Sequence, residues 1–341
     1  MATVGHAGVS YRRDAELRFV ARAAADAPSV YNTQPWRFAT HHHAIRLYAD
    51  SRRKLACADP AGREMLISCG AALFNLRLAV RRLGFAAQVR LLPDPAEADL
   101  LAEIDWGWYA PPTAEETLLY QSIARRHTHR GPFTADIPPL LTGDLVRIAR
   151  QEQAQLQVIY DSRCHRPLAG LVCAAEHIQA TSPGLAAERA RWARPPGDRR
   201  SDGVPTTAYP AQPDGLAFTG RDFACGTGWG YPPKSPPPGP EAIGLVAVLS
   251  TKDDGRVAWL LAGQALQRLL LYATSQGASA AFHTQPLELP QTRRRVRAEF
   301  TDGAYPQMLL RLGRDGHPVT TPRRPVTQML IAGEQVARHA G

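Results

Sequence analysis

The stretch Ala27-Pro28-Ser29-Val30-Tyr31-Asn32-Thr33-Gln34-Pro35-Trp36 sets three small polar side chains between two prolines and closes on a large aromatic. Each proline pushes the residue before it out of helical geometry, so the segment reads as a stiff loop. Ser29, Asn32 and Gln34 carry donors and acceptors suited either to gripping a polar ligand or to satisfying their own turn. A second candidate is Thr321-Pro322-Arg323-Arg324-Pro325, where prolines fix the backbone and little entropy is lost when the arginines order on an anion. A third, Arg126-His127-Thr128-His129-Arg130, precedes the helix-stopping Gly131-Pro132; on its residues alone it is a basic turn complementing a helix dipole. His283, at the end of an apolar run, reads either as an acid or as a structural histidine.

Rival chemistries lack a foothold. The chain has no G-x-S-x-G, no H-E-x-x-H, no Walker loop and no G-x-G-x-x-G after a strand. Five cysteines, an odd number without C-x-x-C spacing, argue against both a disulfide framework and a zinc site. The net charge of +9 is carried almost wholly by arginine, since Lys54, Lys234 and Lys252 are the only lysines. A nucleic-acid binder would gather that charge into a stripe with interleaved aromatics; here the arginines are dispersed apart from short clusters, so no nucleic-acid partner is expected. Two or three arginines suffice for a phosphate-bearing cofactor, because a guanidinium bonds phosphate oxygens in pairs.

The elements that must position these groups are legible in outline. With 341 residues and 44% apolar content, a large buried core is affordable. No apolar run reaches the roughly eighteen residues of a membrane helix, and the N-terminus lacks the apolar core of a signal peptide; no membrane partner and a cytoplasmic location are expected. Helical periodicity runs over 14–25, 60–84, 114–126, 138–153, 163–194 and 256–277. Strand patterns cover 36–38, 45–49, 85–92, 156–160, 243–249, 279–282 and 307–312, with 100–104 as a further candidate and 106–112 as a loop. The segment 195–240, dense in Pro and Gly yet carrying Phe223, Trp229 and Tyr231, is too aromatic for a plain linker and reads as a lid.

The Ser29 loop resembles the A-P-S-x-x-N-x-Q-P-W signature of the nitroreductase family of flavoproteins. Arg126, Thr128 and Arg130, a few residues before Phe133, resemble the family's Arg-x-Ser/Thr-x-Lys/Arg motif. Asn-Thr-Gln-Pro-Trp, Ile-Ser-Cys-Gly-Ala-Ala-Leu, Arg-Arg-His-Thr and Thr-Pro-Arg-Arg are similar to the actinobacterial Acg group, over about 20–330. The resemblance implies an α+β, nitroreductase-like fold holding FMN. Arg126, Thr128, Arg323 and Arg324 would lie on the phosphate, and Arg130 by the pyrimidine edge. Ser29, Asn32 and Gln34 would reach in from the other half, with Thr284 and Gln285 in the loop whose backbone faces the flavin N5. In an ordinary member the arginine motif precedes the Ser-Asn loop; here it follows by roughly a hundred residues. That order implies two tandem halves in one chain, 1–112 and 113–341, mimicking the family dimer and sharing one composite site. Neither motif has a clear second copy, so the twin site is expected to be degenerate.

Ordinary members pass hydride from NAD(P)H through FMN to a small-molecule substrate of nitroaromatic or quinone type. The Acg group resembles them in fold, but its lid makes a catalytically silent, flavin-sequestering protein the alternative. The assembly expected is a monomer with an internal pseudo-dimer, or a homodimer.

Overall fold

A computed structural model describes residues 4–211, 218–232, 242–314 and 319–331, with side chains from residue 15 onward. The remaining parts of the expected lid, 212–217 and 233–240, lie outside the described residues.

Helix α1 (Val4–Ala25) leads through the Ser29 loop into the hairpin β1 (Trp36–His41) and β2 (Ala44–Ala49), whose tight turn is His42-His43. Helix α2 (Arg63–Arg82) follows, then β3 (Phe85–Leu91) and β4 (Leu100–Tyr109). These strands make one antiparallel sheet in the order β1-β2-β4-β3. The second half opens with α3 (Ala114–Ser122), α4 (Pro139–Gln151) and β5 (Gln155–Val158), and continues through α5 (Ser162–Thr181), α6 (Pro183–Trp192) and the lid segment. It closes with β6 (Leu245–Thr251), α7 (Arg256–Ser275), β7 (Ser279–Phe282), α8 (Gln285–Glu288), α9 (Pro290–Phe300) and β8 (Tyr305–Gly313). Its antiparallel sheet has the order β5-β6-β8-β7, the first sheet's order repeated.

Helix α2 is buried on nearly every face from Arg63 to Val80, as expected of a helix enclosed between layers rather than laid on a surface. Its main partner is α7. The two cross at Gly70 and Gly263 so closely that a Cβ on Gly263 would stand 2.0 Å from the Ile67 carbonyl oxygen, and one on Gly70 2.3 Å from that of Leu260. Glycine is therefore required at the crossing, where any side chain would meet backbone. The cores interlock there: Leu260 and Leu271 of α7 join the first half's apolar core, and Ile67 of α2 joins the second's.

Several elements differ from their sequence-based expectation, beginning with α1, which starts at Val4 rather than near residue 14. The expected helix 163–194 breaks between Thr181 and Pro183, because the Ser182 backbone is extended and proline restarts the helix at its first position. Helix α3 stops at Ser122, and Arg126 lies in the turns beyond it. The expected loop 106–112 is largely strand, since Trp106, Trp108 and Tyr109 continue β4 until Pro111-Pro112. Helix α9, arginine-rich with only Val296 buried, lacks the apolar stripe that marks a helix in sequence.

Two excursions bring the candidate residues together. Thr128 bridges in parallel to Ala280 of β7, with the His129 N–H donating to the Ala280 carbonyl at 2.9 Å, which pins the Arg126–Arg130 run beside the second sheet. The C-terminal stretch crosses back to the first sheet. Its Leu330 bridges in parallel to Phe38 of β1, and this carries Arg323 and Arg324 onto the Ser29 loop.

Candidate functional site

Between the halves lies a cleft with about 1100 Å³ of atom-free space, part of it open to solvent. The first half supplies Pro28 to Tyr31 and, from α2, Glu64, Ile67 and Ser68. The second supplies Thr128 to Arg130, the end of β7 through Thr284, and Met308 and Arg311 of β8. The lid adds Pro210 and Gly220 to Phe223. Of the ten cofactor-site residues expected from the sequence, Ser29, Thr128, Arg130 and Thr284 line this cleft, and Asn32, Gln34, Arg126, Gln285, Arg323 and Arg324 do not.

Arg126, buried, and Arg323, half-buried, form a like-charged pair close to Arg130 of the cleft wall. The Arg126 guanidinium donates to the Asp26 carbonyl oxygen at 3.3 Å, while its Nε and Nη1 meet no hydrogen-bond acceptor among the described residues. Burial, then the neighbouring charge of Arg323, draws its pKa down to about 9. Arg323 is oriented by Asn32: its Nη1 donates to Asn32 Oδ1 at 3.2 Å and to Thr321 Oγ1 at 2.7 Å, and its Nε likewise meets no acceptor. Burial lowers its pKa against the opposing pull of Asp26. Arg130 is brought down to about 10, chiefly by desolvation, with Arg323 and Arg221 adding to the shift. Buried guanidinium N–H groups without acceptors are costly, and an anion is the group that would satisfy them.

Asn32 Nδ2 donates to the carbonyls of Gly203 at 2.9 Å and Pro322 at 3.0 Å, so this side chain ties the lid and the C-terminal stretch to the Ser29 loop. Gln34, Gln285 and Arg324 do not line the cleft. Gln34 donates to the Ser201 carbonyl and accepts from the Arg324 N–H at 2.8 Å. The Arg324 guanidinium donates to the carbonyls of Gln34 and Gln328, holding the C-terminal stretch rather than facing Arg126. Gln285 donates to Glu176 at 3.3 Å. Ser29 Oγ accepts from the Gln34 N–H at 2.9 Å, which leaves its own hydroxyl proton for the cleft. Its neighbours Tyr31, Asn32 and Gln34 all hold positive φ, a conformation the rest of the loop must impose on them.

His283 lines the cleft but is held neutral. Its Nε2 accepts from Arg311 Nε at 2.9 Å, which puts the ring proton on Nδ1, facing the Thr219 carbonyl at 3.2 Å. Burial, then Arg311, lowers its pKa to about 3, so the ring is uncharged at neutral pH and its one N–H faces the Thr219 carbonyl.

Sequence reasoning passed over two groups. Arg221 descends from the lid to pair with Glu288 of α8, and donates to Tyr31 Oη at 2.9 Å and Thr284 Oγ1 at 3.1 Å. Glu64 of α2 lies next to it, with Arg63 at 3.0 Å from Oε1. A lone arginine in a Pro/Gly-rich run and a lone glutamate on a helix carry no spacing signal. The part of the lid described is packed rather than loose: Val204, Tyr209 and Phe223 share an apolar cluster with Tyr31, Leu55 and Trp192, and Arg53 pairs with Asp202.

No family profile matches the chain. Among its relatives are two Mycobacterium tuberculosis proteins, each named as a putative NAD(P)H nitroreductase. One is 34% identical over 331 residues, covering 95% of this chain and 94% of its own length. The other, acg, is 32% identical over 323 residues, covering 92% and 94%. Among solved structures, a nitroreductase with bound FMN from Desulfitobacterium hafniense aligns with a TM-score of 0.40 at 14% identity, covering 63% of this chain and 97% of that one. A BluB-like flavoprotein from Clostridium difficile aligns with a TM-score of 0.40 at 13% identity, covering 62% and 96%. The fold is α+β and nitroreductase-like, built of two tandem halves in one chain. The chain belongs to the nitroreductase family, in the Acg-like group. Among the described residues no helix is long and apolar enough to cross a membrane.

Proposed function

We propose that the cleft binds FMN and that the protein is an oxidoreductase moving hydride from NAD(P)H to a small organic acceptor of nitroaromatic or quinone type. The observation that carries the reading is the Arg126–Arg323 pair, whose N–H groups without acceptors suit a phosphate, close to Arg130 on the wall of a cleft with about 1100 Å³ of atom-free space. Arg126 and Arg323 would hold the phosphate, with the hydroxyls of Thr128 and Ser29 as further donors. Each charge-assisted bond contributes about 1.5–3 kcal/mol. Asn32 acts behind them by fixing Arg323. Arg130 at the cleft wall would set a permanent positive charge against the ring's polar edge, offsetting the negative charge that an arriving hydride brings. Bound FMN would supply the ring that takes up hydride and releases it. The protein itself supplies orientation, charge and exclusion of water by Pro210, Phe223 and their neighbours in the lid. The unit that builds this site is the pair of halves 1–112 and 113–341, with the first lending the Ser29 loop.

A second reading is favoured by Arg221, which holds the lid down through a buried ion pair with Glu288. A lid so fastened suits a protein that stores flavin and admits no second substrate. The discriminating experiment is anaerobic. Purified, flavin-loaded protein is mixed with excess NADH or NADPH, and its yellow absorbance is followed, then a nitroarene or quinone is added. Bleaching followed by recovery is the outcome expected of the oxidoreductase; colour that persists with both nucleotides defeats it for those donors and leaves the storage reading.

A further inference from the structure

Glu64 stands on α2 at the cleft wall, one turn before Ser68, which lines the same wall. Its carboxyl is buried, and its two oxygens differ. Oε1 accepts a single N–H from Arg63 at 3.0 Å, whereas Oε2 meets no hydrogen-bond partner among the described residues. Arg63 does not commit its charge to this contact. Its other nitrogen donates to the Gln307 carbonyl at 2.8 Å, and it presents one edge rather than a two-pronged fork.

The charges around Glu64 come from each element packed on it. Asp59 faces it from the loop before α2, Glu288 from α8, Arg221 from the lid, Arg63 from its own helix, and the Tyr31 hydroxyl from the Ser29 loop. With Glu64 ionised, three carboxylates would share two guanidiniums in a buried space. One proton on the Glu64–Asp59 pair leaves two carboxylates to balance Arg63 and Arg221. Burial raises Asp59 as well, but Asp59 accepts the Met65 N–H at 2.8 Å whereas Glu64 Oε2 accepts nothing among the described residues, which puts the proton on Glu64. Burial and the Glu288 charge both raise the Glu64 pKa well above the ordinary carboxyl range, against the pull of Arg63. A carboxylic acid in this setting accepts from Arg63 on Oε1 and keeps an O–H on Oε2.

We infer that Glu64 is a neutral carboxylic acid at the cleft wall, and that its O–H is a hydrogen-bond donor the protein offers to the ring of the ligand held there. The inference rests on the flavin reading above. The donor differs in kind from the arginines: it is lost when pH rises, and a carboxylate beside a ring acceptor repels it.

Two measurements on the wild-type chain and on Glu64→Gln test this. The first is the infrared C=O stretch of a protonated carboxyl in flavin-free protein, expected in the wild type and missing in the variant. The second is affinity for FMN as pH is raised from about 6, above the ordinary glutamate range, until that carboxyl band is lost. Wild-type affinity should fall over this range by about tenfold more than that of Glu64→Gln, whose amide donates at any pH. Riboflavin, which lacks the phosphate, repeats the comparison free of phosphate titration. Parallel pH curves, or an unchanged infrared band, overturn the inference while leaving flavin binding intact. Failure of both proteins to bind any flavin overturns the reading it rests on, and the infrared band then still decides whether Glu64 holds its proton. Thermal melting confirms that Glu64→Gln is folded.

Discussion

The two halves share a plan down to strand register, yet only one of them can lend the Ser29 loop. In the first sheet Val89 faces Ile104 and Gln88 faces Asp105; in the second Phe282 faces Leu310 and Ala281 faces Arg311, the same steps along matching strands. Gly70 and Gly263 mark the same point of α2 and α7, and the same spacing leads on to Gly84 and Gly277 past the helix ends. The divergence is confined to connections. Between α1 and β1 the first half has the long loop 26–35, where the second has only 152–154 between α4 and β5. Between β5 and β6 the second half inserts two helices and the lid, where the first turns on His42-His43. The positions matching Thr284, Arg311 and Glu64 are Leu91, Asp105 and Val257, so the twin of the cleft lacks its hydroxyl, its guanidinium and its acid. On the proposed reading, a repeated scaffold with unequal loops yields one flavin site per chain.

The harshest challenge to that comparison is Arg126→Ala combined with Arg323→Ala. Loss of two charge-assisted contacts should weaken FMN binding by at least about a hundredfold. The flavin-free protein should not lose stability in step, since the change relieves the repulsion of two neighbouring positive charges and removes N–H groups that meet no acceptor among the described residues. Fluorescence titration and melting of the same samples read both effects. Wild-type protein should bind one flavin per chain; two per chain would mean that the halves are functionally equal. Unaltered affinity in the folded double variant would remove the phosphate assignment.

A smaller effect, in stability, separates the halves by pH. His283 belongs to the second half, and its counterpart in the first is Arg90, whose side chain is largely exposed. The His283 pKa is about 3 in the folded chain and near 6.5 when unfolded, so the unfolded state binds more protons between these values. Stability is therefore full above about pH 6.5 and falls by a few kcal/mol as pH drops toward 3. His283→Gln, whose amide can accept from Arg311 and donate to the Thr219 carbonyl, should flatten this slope in denaturant titrations at stepped pH. An identical slope in the variant would assign the acid sensitivity elsewhere.

What the sequence disclosed and what it withheld divide along the same line. The helices and strands of both sheets are visible because their apolar periodicity is set by burial, and α2 and α7 carry it over some twenty residues each. The motif residues Ser29, Thr128, Arg130 and Thr284 do meet at one cleft, and Arg126 does meet Arg323 beside it. Asn32, Gln34 and Arg324 occupy the same motifs but bind backbone, because a loop with three positive-φ residues needs side chains to hold it. Type and spacing do not tell a ligand donor from a loop clamp. Arg221 and Glu64 went unseen for a different reason: their meaning comes from being brought beside Glu288 and Tyr31, which are remote in sequence. The two tandem halves were legible from the order of the polar motifs, and the equally spaced glycines of α2 and α7 carry the same repeat.

The mildest test asks how tightly the shared plan binds the halves to each other. Gly263→Ala sets a methyl carbon 2.0 Å from the Ile67 carbonyl oxygen, so α2 and α7 must separate. A cost of about 1–3 kcal/mol is expected from overpacking, partly offset by alanine's better helix propensity. Gly70→Ala, facing the Leu260 carbonyl at 2.3 Å, should cost about as much if the crossing is symmetric. Gly170→Ala supplies the control. It lies in α5, in the second half's insertion, and meets nothing within 4 Å, so only propensity acts and stability should rise by about 0.5–1 kcal/mol. Urea denaturation of the three variants gives both signs in one experiment. Should Gly70→Ala and Gly263→Ala differ by more than their common control can explain, the crossing is lopsided, and the two halves match in register but not in how firmly each is held.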